Sequence, residues 1–210
     1  MEQVEYRAYE AGDFEAISRI VGQTWCASAD ERAQQLAGAF VFATTMRRST
    51  YSRIAVADGN VVGFVFARAG EPDGAADARW QRVADASLAE LRAHDARAAE
   101  QAATYAREEE RIDAVLLAES GCDERSEVVL FICAPEARGL GIGRTLFDAA
   151  ERYLARNGAA EAFLYTDDGC TWGFYEHRGL RRAAEYRPTP DERDAYGLLD
   201  AYYIYVDELA

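Results

Sequence analysis

Residues 128–143 read Val-Val-Leu-Phe-Ile-Cys-Ala-Pro-Glu-Ala-Arg-Gly-Leu-Gly-Ile-Gly. Val128 to Cys133 is an unbroken apolar run ended by Pro135, the pattern of a central strand covered on both faces. Beyond it Ile142, Leu146, Ala149, Ala150 and Tyr153 recur at helical spacing until Asn157-Gly158 stops the helix. The glycine turn therefore stands at a helix N-terminus, where unpaired N–H groups and the macrodipole create an anion site. Gly139, Gly141 and Gly143 let a diphosphate approach the backbone and let the chain take turns closed to other residues. Arg138 and Arg144 add charge-assisted contacts.

Two other phosphate loops fit less well. A nucleoside-triphosphate loop ends in Gly-Lys-Ser/Thr, and this chain has no lysine. A dinucleotide fingerprint is Gly-x-Gly-x-x-Gly near the first strand of a doubly wound unit, whereas here Gly-x-Gly-x-Gly lies well past mid-chain.

Working outward, Val4 to Tyr9 alternates as a first strand, and Asp13 stands as N-cap of a helix carrying Phe14, Ile17, Ile20 and Val21. A second helix runs from about Asp30 to Thr44. Ile54–Ala57 and Val61–Ala67 flank Asp58-Gly59-Asn60 as a hairpin. From Ala75 to Ser120 there is neither glycine nor proline, and Trp80, Ala84, Leu88, Leu91, Ala98, Ala102, Tyr105, Ile112 and Leu116 form an apolar stripe. One helix of that length would extend roughly 65 Å, so two helices with a break near His94–Ala96 are expected, His94 being a packed or half-exposed side chain. Past the central helix, Ala162–Thr166 is a strand, Asp167-Asp168-Gly169 turns into a short helix through Trp172, Phe174 and Tyr175, and Gly179 ends it. Leu180–Arg187 and Ala201–Val206 are closing strands around a loop containing Pro188. The order is mixed α/β.

The chain has 210 residues, half of them apolar and 11% aromatic, enough for a folded core and in keeping with one domain. A net charge of −14 disfavours a nucleic-acid partner, which needs a basic stripe, and would draw a cationic substrate, although acidity also serves solubility alone. No apolar run approaches the roughly 20 residues of a membrane span, and Met1–Glu5 lacks a leader pattern, so a cytoplasmic location is the expectation. Cys26, Cys122, Cys133 and Cys170 form no Cys-x-x-Cys pair, and His94 and His177 are too few to suggest a metal; none is expected.

Two stretches resemble motifs of the GNAT superfamily of acyl-CoA-dependent N-acetyltransferases. Residues 134–143 look like its Arg/Gln-x-x-Gly-x-Gly/Ala acyl-CoA motif, and Phe174-Tyr175-Glu176-His177-Arg178-Gly179-Leu180 looks like its later Phe-Tyr-Glu-x-x-Gly-Phe motif. The resemblance is strong over residues 126–187 and weak over 3–67.

It implies a single domain over 1–210, with a mixed, mostly antiparallel sheet of about seven strands flanked by helices. The segment 72–121 is then a helical insertion between the third and fourth strands. The implied reaction is direct transfer of an acetyl group from acetyl-CoA to a primary amine of a small molecule or peptide, with no metal. An acyl-CoA-binding sensor without catalysis is the alternative, and an acyltransferase for longer acyl chains or a hydroxyl acceptor is a further rival. Ile132, Cys133 and Ala134 match the strand end that pairs with the pantetheine arm, and Arg138, Gly139, Leu140, Gly141, Gly143 and Arg144 match the diphosphate cradle.

Tyr175 matches the acid that protonates the leaving thiolate, or else packs as an aromatic. Asp168 replaces a common asparagine and could cap the following helix, contact coenzyme or position substrate, capping being favoured for an aspartate. Glu127 is the candidate base for the amine, directly or through a water, with an exposed strand-entry carboxylate as the plain alternative. The insertion would wall the acceptor site or build a dimer contact; the resemblance points to a homodimer.

Overall fold

A computed structural model describes residues 4–26, 28, 30–137 and 139–209. The strands β1 (Glu5–Arg7), β2 (Tyr51–Ala57), β3 (Asn60–Ala69), β4 (Ser126–Cys133), β5 (Glu161–Asp167), β6 (Arg181–Tyr186) and β7 (Tyr202–Glu208) form one seven-stranded sheet ordered β1-β2-β3-β4-β5-β7-β6. Every neighbouring pair is antiparallel except β4 and β5, which run parallel. The hairpin joining β2 to β3 turns at Asp58 and Gly59 with φ of 49° and 77°, the left-handed pair that a tight hairpin needs. The architecture is the mixed, mostly antiparallel α/β fold expected from the sequence.

Helices α1 (Phe14–Trp25) and α2 (Glu31–Arg48) cover one face, where Ile17, Val21 and Phe42 pack on Ile54, Phe64, Phe66, Leu130 and Ile132. Helix α5 (Ile142–Arg156) covers the other, burying Leu146, Phe147, Ala150 and Leu154 against Val65, Val128 and Leu164. Asp30 caps α2 by accepting hydrogen bonds from the N–H groups of Arg32 and Ala33. Asp13 does not cap α1 with its side chain; it closes a 3₁₀ turn at Ala11–Asp13, where its carboxylate forms a bidentate pair with Arg7 and accepts the Glu10 N–H. Arg7 holds that carboxyl below its usual range.

The segment between β3 and β4 is helical, as α3 (Gly74–His94) and α4 (Ala96–Ser120), broken where expected by Asp95, whose carboxylate caps α4. Its apolar stripe packs on the same chain. Trp80 and Ala84 meet Ala43 of α2, Leu91 and Ala99 meet Ala33 and Leu36, and Ile112 and Leu116 meet Phe163, Tyr202, Ile204 and Val206. His94 is partly exposed, and its Nε2 lies 2.7 Å from Asp30 Oδ2, tying the end of α3 to the start of α2. Phe163 faces α4 while its neighbours Ala162 and Leu164 face the α5 side, so α4 shares a sheet face with α1 and α2. The β4–β5 seam runs between them.

Two short helices complete the fold, α6 (Gly173–Arg178) and α7 (Pro190–Tyr196). Helix α7 replaces part of the expected loop around Pro188. Thr189 and Glu192 form a reciprocal capping box with Pro190 in the first turn, a signature present in the sequence. Among the described residues no helix is long and apolar enough to cross a membrane.

Helices α1 and α2 touch backbone to backbone: a Cβ built on Gly38 would stand 2.1 Å from the Ser18 carbonyl oxygen and 2.6 Å from the Gly22 nitrogen. Gly38→Ala should therefore lower stability by about 1–3 kcal/mol through forced separation of the helices. Urea unfolding checks it; an unchanged midpoint would show that the crossing is not this tight.

Candidate active site

Strands β4 and β5 are in register at one pair only, Glu127 opposite Phe163. Beyond it they diverge. Val128 and residues 130–133 remain paired to β3 on one side, and β5 remains paired to β7 on its far side. The facing edges thus open onto a gap toward the C-terminal ends of both strands, a shape suited to an extended, amide-bearing ligand.

A bulge sets what faces this gap. Phe66 pairs with Leu130 and the next residue, Ala67, pairs with Val128, so Val129 is the extra residue on β4. Strict alternation is broken. Leu130 and Ile132 face α1 and α2, while Val128, Phe131 and Cys133 pack on the α5 side. Glu127 falls on the helix-insertion face with Arg48 and Asp113.

Below the gap, the chain leaves β4 through Ala134, whose N–H donates to Val62 O at 2.9 Å, and a 3₁₀ turn at Pro135–Ala137. Arg138 lies outside the described residues. Gly139 and Gly141 both have φ of 77°, and a Cβ at either would meet nothing within 4 Å, so the turn needs glycine for its backbone and faces open space. Gly141 is the N-cap of α5, and no side chain caps the helix. The first-turn amides are left to a ligand. Gly143 serves differently from the sequence reading. It lacks a positive φ, and a Cβ there would lie 3.4 Å from Phe131 Cζ, so it seats the helix against β4. Arg144 is mostly exposed beside the cradle, 3.8 Å from Asp148. Leu140 projects into solvent, 67% exposed.

Tyr175 sits on α6, its ring among Phe147, Phe174 and Tyr205 with centroids 5.6–5.9 Å away. Burial, with Cys170, Asp167 and Tyr205 nearby, pushes its hydroxyl well above the ordinary phenol range, so it carries its proton at neutral pH. Asp168 does not cap α6. That cap is Trp172, while Asp168 is exposed and its N–H donates to Ala201 O. The structured carboxylate there is Asp167, whose Oδ1 accepts the Gly169 N–H at 2.9 Å.

Glu127 is the second residue of β4, not an exposed entry residue; it is 1% exposed. Its Oε2 accepts from Arg68 at 3.0 Å, and Oε1 lies 3.3 Å from Arg48. The sequence reading missed two carboxylates opposite it. Glu109 and Asp113, one turn apart on α4, interrupt the apolar stripe between Tyr105, Ile112 and Leu116, and that interruption was the available signal. Burial, the neighbouring Asp167 and, in opposition, Arg48 leave the Glu109 carboxyl pushed up to about 7. Burial and Glu109 also raise Asp113.

The family model of the acetyltransferase (GNAT) family matches residues 14–180, most of the chain. The chain belongs to the GNAT acetyltransferase family. Among solved structures, the fold is similar to that of SsHAT (18% identity, 99% of each chain covered, TM-score 0.61). It is also similar to a GCN5-related N-acetyltransferase from Rhodopseudomonas palustris (17%, 100% of this chain and 98% of that chain, 0.55). A third is the ribosomal-protein-S18-alanine N-acetyltransferase of Escherichia coli (13%, 99% and 95%, 0.53). No curated protein sequence matches the chain.

In this GNAT fold the glycine turn is open and uncapped, so Gly141→Glu should abolish coenzyme A binding by filling the cradle with a like charge, with the circular dichroism spectrum retained. Titration calorimetry with coenzyme A reads it. Unaltered affinity would remove the turn from the site.

Proposed function

We propose that this GNAT-family acetyltransferase moves an acetyl group from acetyl-CoA to a primary amine by direct transfer. The observation that carries it is the parallel strand pair that parts after one register position, with an uncapped glycine turn at its mouth and a protonated phenol, Tyr175, beside it. The diphosphate would lie on the amides of Gly139, Leu140 and Gly141 and the first turn of α5, with Arg138 and Arg144 adding charge. The pantetheine arm would run along β4 at Ile132, Cys133 and Ala134. Asp168 stands exposed at the rim, where its contact is with solvent or coenzyme.

The chemistry follows from the groups at the gap. The amine nitrogen attacks the thioester carbonyl carbon, the C–S bond breaks, Tyr175 gives its proton to the departing sulfur, and the nitrogen, positive after attack, loses a proton that restores the phenol through water. Backbone N–H groups of the bulged strand hold the carbonyl oxygen as charge develops. An ammonium must first lose a proton. Glu127 is engaged by two guanidinium groups, so its role here is to organise the pocket with Arg48 and Arg68. Glu109, titrating near neutrality and making no hydrogen bond among the described residues, is the better placed acceptor, directly or through a water.

Tyr175→Phe should lower kcat by about a hundredfold with little change in acetyl-CoA affinity. Thiol release with a broad amine panel, alongside calorimetry, separates the two quantities; binding without turnover on any amine in the parent enzyme would favour a coenzyme sensor. The base assignment has its own signature. A base must be deprotonated to act, so kcat/KM should rise with pH through about 7 and level off above it. Glu109→Gln should erase that limb. A profile that keeps its shape in the variant would move the base elsewhere.

A further inference from the structure

The insertion helix α4 lies along the seam on the face opposite α5, and its inner side carries Tyr105, Glu109 and Asp113 at successive turns. Glu109 is coupled electrostatically to Asp167 at the end of β5, and Asp113 to Glu109, Glu127 and Arg48. The four carboxylates thus run in a row, from Asp167 near the phenol of Tyr175 to Glu127 at the closed end of the seam.

At that closed end the structure holds a cavity of about 350 Å³ lined by Arg48, Arg68, Asp113, Glu127, Phe163 and Tyr165, with Glu71, Glu110 and Glu124 adding charge at its border. Glu127 is 1% exposed, and its Oε1 is shielded from solvent yet accepts no hydrogen bond; Arg48 is 3.3 Å away but not in hydrogen-bonding geometry. A buried carboxylate oxygen without a donor is costly, and Glu127 stands in the wall of this cavity. Glu109 and Asp113 also form no hydrogen bond or ion pair among the described residues. Among the described residues Arg48 and Arg68 are the cations that face Asp167, Glu109, Asp113 and Glu127, so the row holds more carboxylates than arginines. Among the described residues no three such side chains converge as a metal would require.

We infer that α4 makes this row the acceptor pocket for a linear diamine, with one amine at Asp167 and Glu109 beside the thioester and the second ammonium seated between Asp113 and Glu127. Glu109 and Asp113 are four residues apart, about 6 Å along the helix axis, a separation that a chain of four methylene groups spans. The first amine gives its extra proton to Glu109 and attacks the acetyl carbonyl, Tyr175 protonates the departing sulfur, and the nitrogen then loses a second proton that returns the phenolate to the phenol. The second stays charged between Asp113 and the Glu127 carboxylate. Tyr105, one turn before Glu109 on α4, has its hydroxyl 3.2 Å from that of Tyr202, and the pair would wall the pocket at the reactive end. Elevated proton affinity at Glu109 and Asp113 agrees with a pocket short of positive charge. The inference rests on the acetyl-transfer reading above and adds the acceptor to it.

Three amines of equal length test it: 1,4-diaminobutane, butylamine and 4-aminobutanoate, which differ only in an ammonium, a methyl or a carboxylate at the far end. With the full chain and acetyl-CoA, kcat/KM should be at least about tenfold higher for the diamine than for butylamine, and lowest for the amino acid. In Asp113→Asn, checked for folding by circular dichroism, the diamine-to-butylamine ratio should fall to about threefold or less. Equal kcat/KM for the three amines would overturn the pocket while leaving acetyl transfer standing. So would an unchanged ratio in the folded variant. Absence of acetyl-CoA binding and of transfer to every amine would overturn both readings together.

Discussion

The structure depends on one constraint, the parting of β4 from β5. Parallel strands in the middle of a sheet ordinarily satisfy each other's backbone along their whole length, and an unpaired edge buried there is unfavourable. Here the pairing is confined to Glu127 and Phe163. Three features maintain it. The extra residue Val129 bends β4, Gly143 brings α5 close under Phe131 and Cys133, and different helices cover the two halves of the sheet. The gap is therefore built into the packing. An acyl-coenzyme arm would find a sheet edge to join there, with its thioester open to both faces of the sheet.

Charge is distributed around that gap with opposite signs at its two ends. The coenzyme end is a helix N-terminus with glycine backbone, suited to a diphosphate. The insertion end is a row of carboxylates with too few arginines to neutralise it, suited to a cation. Burial acts differently on the groups between. It keeps the Tyr175 phenol protonated, and together with Asp167 it brings the Glu109 carboxyl to the range where it can exchange a proton with an amine. Burial thus raises the proton affinity of both groups, which suits the phenol to an acid's role and the carboxyl to a base's in the proposed transfer.

Much of this was legible in the sequence because it is written locally. The apolar run ending in Pro135, the alternating glycines and the helix behind them specify strand, turn and helix within a single stretch, and the motif around Tyr175 is equally compact. The two helices of the insertion and their break at Asp95 followed from composition and length. Side-chain roles set by distant partners were not legible. Asp13 reads as a cap but is claimed by Arg7, and Asp168 reads as a cap but the turn is closed by Asp167. Glu127 stands before an apolar run, and only the bulge at Val129 and the approach of Arg48 and Arg68 show that it is buried and paired. Glu109 and Asp113 left their mark as two acids interrupting an apolar stripe, but nothing local says which element that stripe meets. Helix α7 was written locally, in Thr189-Pro190-Asp191-Glu192.

The most direct measurement of the central claim is a crystal structure grown with coenzyme A. The diphosphate should rest on the amides around Leu140, the pantetheine amides should lie along β4 in the gap between β4 and β5, and the sulfur should lie within hydrogen-bonding reach of the Tyr175 hydroxyl. Coenzyme bound elsewhere on the protein, or β4 and β5 zipped together along their length with the gap closed, would contradict the account.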